Sequence, residues 1–330
     1  ELDSDVAIDA DVEIESDEAV TMPMAAVPAS TKSKAPKPPP TKKRKKSPPQ
    51  PPPAPERTGG RDAAEFKPNA STPAKVDPLG TKRHRLWWDE LFTDEFGRAI
   101  PDLTPPQLKK EATFIEESLA VSPGALVLDL ACGTGRLSVE MSSRGYGIVG
   151  YDLSVAQLAI AGELAQEKGA KINFLQGDMR EMAFEEMFDG IFCWNSSFGY
   201  FEEDKNIAVA ERMFKALRSG GRLVLDVPNR DFVVEQQPSQ CWFEGDGCVC
   251  MDDMSVDFIT SRLVVKRTVM LDDGRNMECN YSIRLYGLHE LGRLFHDVGF
   301  RVTQFSGQPA MPGVFMGSTS PRILLLATKP

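Results

Sequence analysis

The stretch Val127-Leu128-Asp129-Leu130-Ala131-Cys132-Gly133-Thr134-Gly135-Arg136 constrains this chain more than any other. Leu126 to Leu130 is an apolar run broken only at Asp129, which suits a strand covered on both faces of a parallel sheet. Gly133 and Gly135 remove side chains where the backbone must turn sharply, so a ligand can approach the main chain. The pattern then predicts a helix from Arg136 to Arg144, closed by Gly145, whose free N–H groups face that ligand. A strand, turn and helix of this kind suit something nucleotide-like.

Two ligands compete for such a turn, a dinucleotide and S-adenosylmethionine. The dinucleotide fingerprint asks for a third small residue, which Ser138 supplies imperfectly. Asp129 would repel a pyrophosphate but attract the ammonium and sulfonium of S-adenosylmethionine. The glycine pair by itself also fits an ordinary tight turn.

Downstream, strands and helices alternate. Gly147 to Tyr151 reads as a strand ending at Asp152, and Ser154 with Gln157 as a capping box for a helix to Lys168. Ile172 to Leu175 and Phe188 to Cys193 read as strands three and four. A helix from Lys205 to Arg218 ends at Ser219-Gly220-Gly221, and Arg222 to Val227 is strand five. This alternation predicts a doubly wound α/β parallel sheet, with the ligand beyond the strands' C-terminal ends. Asp152 can accept hydrogen bonds from ribose hydroxyls, and Leu153 stands beside it. Asp178 can accept from an adenine amino group while Met179 packs on the ring, and Asn195 would face the reactive end. Each acid also has a plain reading, as a helix N-terminal charge or a turn former.

With these pieces in hand, the chain resembles the class I S-adenosylmethionine-dependent methyltransferases from about Trp87 to Pro330. The matching segments are Leu128 to Gly135, Asp152, Gly177-Asp178-Met179 and Ser219-Gly220-Gly221-Arg222-Leu223, with Ala131 where many members have glycine. The resemblance implies a Rossmann-like sheet of seven strands, the last antiparallel, with 301–305 and 322–327 as strands six and seven. It assigns the cofactor to Asp129, Ala131, Gly133, Gly135, Asp152 and Leu153, and further to Asp178, Met179, Asn195 and Trp88. Ser197-Phe198-Gly199-Tyr200-Phe201, Arg284-Leu285-Tyr286, Glu290-Leu291, Gly299-Phe300 and Ser320-Pro321-Arg322 resemble a bacterial small-molecule subgroup. There, Trp87 and Trp88 would belong to a lid; aromatic core packing is the other reading.

An inserted β-rich segment, 228–287, follows strand five. Asp257 to Leu271 and Arg275 to Tyr286 alternate around Asp272-Asp273-Gly274, which predicts an antiparallel β-hairpin over the methyl donor. Trp242, Phe243, Phe258 and Tyr286 are its expected apolar walls. Methyl transfer is an in-line displacement in which alignment alone supplies roughly 7–11 kcal/mol. An amine or thiolate attacks unaided, whereas a hydroxyl needs a base. The candidate catalytic groups are Asn195, Tyr200, His289 and Arg284, with Asp226 as a further base.

Residues 1–80 read as a disordered tail, acidic and then rich in Pro and Lys, leaving 81–330 for the methyltransferase domain. The tail holds 13 acids and 12 bases, so 35 acids and 26 bases remain for the folded part, a balance that argues against a nucleic-acid substrate. Trp194-Asn195-Ser196-Ser197 also lacks the Asn/Asp-Pro-Pro-aromatic motif of enzymes that methylate base amino groups. Glu1 in place of Met points to a processed or truncated product. The six cysteines fit a reducing, cytoplasmic setting, and Cys241, Cys248 and Cys250 lack zinc-site spacing. The expectation is therefore a monomer or homodimer that methylates N or O on a small molecule, without metal or membrane. The alternatives are an RNA or protein methyltransferase recruited by the basic tail, a non-catalytic scaffold, and a nicotinamide oxidoreductase.

Overall fold

A computed structural model describes residues 91, 92, 99 and 103–330. The tail over 1–80 and the tryptophans Trp87 and Trp88 lie outside the described residues. The elements are α1 (Pro105–Leu119), β1 (Leu126–Leu130), α2 (Arg136–Ser143), β2 (Gly147–Asp152), α3 (Val155–Glu167) and β3 (Asn173–Gln176). They continue with β4 (Phe188–Cys193), α4 (Glu203–Ala216), β5 (Leu217–Pro228), α5 (Arg230–Glu235), β6 (Ser239–Gly245) and β7 (Cys248–Asp257). The last are β8 (Arg262–Leu271), β9 (Asn276–Arg284), α6 (Leu288–Val298), β10 (Arg301–Ser306) and β11 (Arg322–Thr328).

Seven strands form one sheet in the order β10-β11-β5-β4-β1-β2-β3. β1 pairs in parallel with β2 and β4, while β11 runs antiparallel to both β5 and β10. The period-2 alternation of each strand feeds two cores. Leu128 and Leu130 of β1 pack with α4 and α6 residues such as Val209 and Phe295. Val127 turns the other way, toward Ile115 of α1 and Met141 of α2. Local signals start the helices: the Thr104 side chain caps α1 in a full capping box with Gln107. At α3 only half of the expected box forms, with Ser154 Oγ accepting from the Gln157 N–H. The Ser219-Gly220-Gly221 stretch does not close a helix, because α4 stops at Ala216. It lies inside β5, where the pairing jumps from Phe188–Leu217 to Gly190–Arg222 and Gly220 adopts φ 80°.

The inserted segment departs from the expectation. It is a four-stranded antiparallel sheet, β6-β7-β8-β9, and the expected hairpin is only its second half. The span from Asp257 to Leu271 is not one strand: β7 ends at Asp257, and β8 begins at Arg262 after an exposed turn carrying Phe258 and Ile259. One face of this sheet is buried through Phe243, Cys250, Met254, Leu263, Val265 and Leu271. The chain leaves and rejoins the main sheet at one place, where Asn229 bridges Tyr286.

Candidate active site

The acids at the strand ends converge. Asp129 is the penultimate residue of β1, Asp152 closes β2 and Asp178 follows β3, and all three line one cavity with the turn after β4. Asp129 is 3% exposed and accepts the Ser138 hydroxyl at 2.5 Å. Burial pushes its carboxyl up to about 7, against the Ser138 hydrogen bond and with help from the neighbouring Asp152 charge. Ser138, a weak third residue for a dinucleotide fingerprint, thus serves as Asp129's donor.

Asp152 clamps the glycine turn. One carboxylate oxygen accepts the Gly133 N–H and the other the Ser154 N–H, both at 2.8 Å. Burial raises its pKa, opposed by these backbone donors. A carboxylate offers about four acceptor sites, so these backbone donors leave capacity for a hydroxyl donor. Asp178 is gripped by the Arg180 guanidinium, with Nε 3.0 Å from both oxygens and Nη2 2.5 Å from Oδ2. Burial raises its pKa, but the Arg180 bonds prevail and hold the carboxyl below the ordinary value.

The turn after β4 is strained. Asn195 and Ser196 adopt φ 55° and 60° in succession, and such residues cost about 1–3 kcal/mol each. Ser196 is 1% exposed, and its Oγ has no hydrogen-bond partner among the described residues.

Opposite this rim, the inserted sheet closes the cavity with Met254, Leu263, Val265 and Ile283. One charged rung interrupts that wall: Arg267 Nε and Nη2 meet the two Asp252 oxygens at 2.7 and 2.8 Å, with both side chains buried. Tyr281 stacks on Tyr200 at 6.2 Å. Burial pushes the Tyr200 phenol up to about 12 and holds Tyr281 well above the ordinary tyrosine value, so both stay protonated at neutral pH. The buried pair yields a prediction. Arg267→Met leaves Asp252 as an unpaired buried charge and should cost about 3–5 kcal/mol, whereas Asp252→Leu with Arg267→Met should recover most of it. Urea denaturation of the three proteins checks this.

Several expected site residues sit elsewhere. His289 is exposed on α6, outside the cavity lining. Arg284 also stays outside, bound to Glu203, Glu290 and the Leu285 carbonyl and lying over the Tyr286 ring. Asp226 is fully buried and locked to Arg322, so it serves no acceptor. Gly135 does not line the cavity; a Cβ there would come 2.7 Å from Ala161, which makes it a helix-packing position. None of the four expected aromatic walls lines it either. Trp242 and Phe258 are 69% and 66% exposed, while Phe243 lies in the insert's core and Tyr286 in the main core. The cavity does include Ala131, Leu153, Met179, Asn195 and Tyr200. Trp194, Ser196, Asp252 and Arg267 were missed because nothing in their local sequence marks them; tertiary packing alone brings them to the cavity.

Residues 127–221 match the sequence profile of a family described as "Methyltransferase domain". A crystal structure of an S-adenosylmethionine-dependent methyltransferase from Clostridium acetobutylicum superposes with a TM-score of 0.60 at 19% identity, covering 71% of this chain and 95% of that one. Residues 127–221 match a methyltransferase domain, and the sheet that holds them has the Rossmann-like methyltransferase fold. The Bacillus subtilis (strain 168) protein YqeM, named as a methyltransferase, is 32% identical over 36% of this chain and 49% of its own length. The glycine/sarcosine N-methyltransferase of Aphanothece halophytica is 26% identical over 65% of this chain and 77% of its own length. The chain spans about half the length of YqeM and of a Geobacillus relative, at 49% and 54%.

S-adenosylmethionine is the cofactor of this methyltransferase class, and the donor set fits it. The buried acids suit an ammonium and hydroxyl donors, and among the described residues the lining holds Arg136 and Arg267 but no Lys. Among the described residues, no helix is long and apolar enough to cross a membrane.

Proposed function

We propose that this chain, through a domain over 81–330, moves the methyl group of S-adenosylmethionine to a nitrogen on a small metabolite, with oxygen as the second reading. When bound, the cofactor supplies an electrophilic carbon: the acceptor's lone pair forms the new bond as the carbon–sulfur pair passes to sulfur, and the acceptor's proton leaves. Asp129, ionised, would hold the ammonium; Asp152 would hold the ribose; Asp178 with Met179 would hold the adenine. Asn195 and Ser196 would face the acceptor, and the inserted sheet would exclude water. The observation that carries the preference for nitrogen is the acceptor-side wall. Tyr200 and Tyr281 are held as neutral phenols there and Asp252 is tied to Arg267, so none of these is poised to deprotonate a hydroxyl. An amine needs no such base. The A. halophytica relative, named for N-methylation, supports the same reading, whereas a ubiquinone biosynthesis O-methyltransferase from Dechloromonas aromatica, 30% identical over 64% of its length, supports oxygen.

Calorimetry with S-adenosylhomocysteine should give clear binding that is lost when Asp129 and Asp152 are both changed to Ala. Labelled methyl transfer to a panel of small amines and phenols should then favour the amines. Full affinity in the double variant would remove the reading.

A further inference from the structure

Beneath the turn after β4 lies a buried charge cluster that pairing alone does not explain. Arg322 on β11 donates from Nε to Asp226 Oδ1 at 2.8 Å and from Nη2 to Asp226 Oδ2, which already makes a complete bidentate pair. Yet a second carboxyl, Glu111 of α1, is also buried there, 8% exposed, with Oε1 3.3 Å from Arg322 Nη1. Two buried carboxyl groups on one guanidinium is an expensive arrangement when one would suffice. The other oxygen of Glu111 accepts the Trp194 indole N–H at 2.8 Å. The Arg322 guanidinium also lies 4.6 Å from the centre of the Trp194 ring, and Phe114 packs on that ring at 5.9 Å. The indole is thus fixed by a charge-assisted hydrogen bond, a cation and an aromatic neighbour.

Trp194 itself lines the cavity, and the two residues that follow it are the left-handed Asn195 and Ser196. A turn at that backbone cost needs an anchor on its N-terminal side. We infer that Glu111 is a positioning residue: held by Arg322, it orients Trp194, and Trp194 holds the Asn195–Ser196 turn against the ligand. This rests on the proposed use of the cavity for S-adenosylmethionine. The dispensable carboxyl in the ion cluster is there for the indole, and its effect reaches the ligand through one hydrogen bond.

The test uses the whole chain with S-adenosylhomocysteine as probe. Glu111→Ala should weaken binding about tenfold or more, and Glu111→Gln, whose amide oxygen still accepts from the indole, should restore it to within about threefold of the parent. Trp194→Phe should match Glu111→Ala, and the double variant should be no weaker than either single one, because both changes remove the same bond. The fluorescence difference between Glu111→Ala and the parent should vanish in the Trp194→Phe background. Asp226 remains paired with Arg322 in every variant, so melting temperature reports folding separately. Additive losses, or Gln behaving like Ala, would overturn the inference. Absence of binding by the parent would instead remove the proposed function.

Discussion

Replacing Asp129 with Asn should make the ligand-free protein more stable at pH 8 while weakening S-adenosylhomocysteine binding about 10- to 100-fold, the value of a charge-assisted hydrogen bond. The two effects share one cause. Burial raises the Asp129 carboxyl to about 7, so the folded protein prefers it protonated. An unfolded Asp has already lost its proton near pH 4. Between these values the native state binds more protons than the unfolded one, and stability therefore falls as pH rises. The stabilising contribution is complete below pH 4 and gone above pH 7, a change of up to about 4 kcal/mol. Asn cannot ionise, yet it can still accept from Ser138, so its denaturation curves should lose this slope. A cationic ammonium binds the ionised form, so parent affinity should rise about tenfold from pH 5.5 to 7, and Asp129→Asn should be flat there. Calorimetry across that window checks the sign; equal slopes in both proteins would assign the titration to another group.

Gly135→Ala should lower the melting temperature by about 6–12 °C, and Gly133→Ala by only about 2–4 °C. Both glycines occupy left-handed backbone, with φ 72° and 53°, so each substitution carries a conformational cost of about 1–2 kcal/mol. The difference lies in what the new methyl meets. At position 135 it lands 2.7 Å from the Ala161 Cβ and 3.0 Å from the Phe174 ring, which pushes α3 and β3 away. At position 133 it meets only the Gln157 Oε1 at 2.8 Å, the tip of a side chain that can swing aside. Calorimetric scans of the two variants would show whether the glycine turn is limited by packing at 135 and by the ligand at 133.

That contrast marks where sequence reasoning works and where it stops. The first five strands and the rim acids were legible because alternation and strand-end acids are local signals, whereas strands six and seven came from the family resemblance. Gly135 was read as a ligand contact because motif spacing does not reveal that α3 crosses over it. The first half of the inserted sheet was missed for a related reason. In β7 the polar Asp252 occupies an inward position, and its neighbour Asp253 faces solvent, so the two-residue hydrophobic rhythm breaks where the strand is longest. The partner that allows Asp252 to be buried, Arg267, is 15 residues away and opposite it in register. His289 and Arg284 were candidates by residue type, but α6 turns one outward and Glu203 and Glu290 engage the other.

The bridge between Asn229 and Tyr286 has an architectural consequence. Because the polypeptide departs and returns through a single neck, the β6–β9 module hangs on the core like a cassette. Its strands can lengthen, shorten or be exchanged while β5 and β11 keep their neighbours and the acid rim keeps its shape. Evolution, or an engineer, can thereby revise one side of the chamber while the other stays constant.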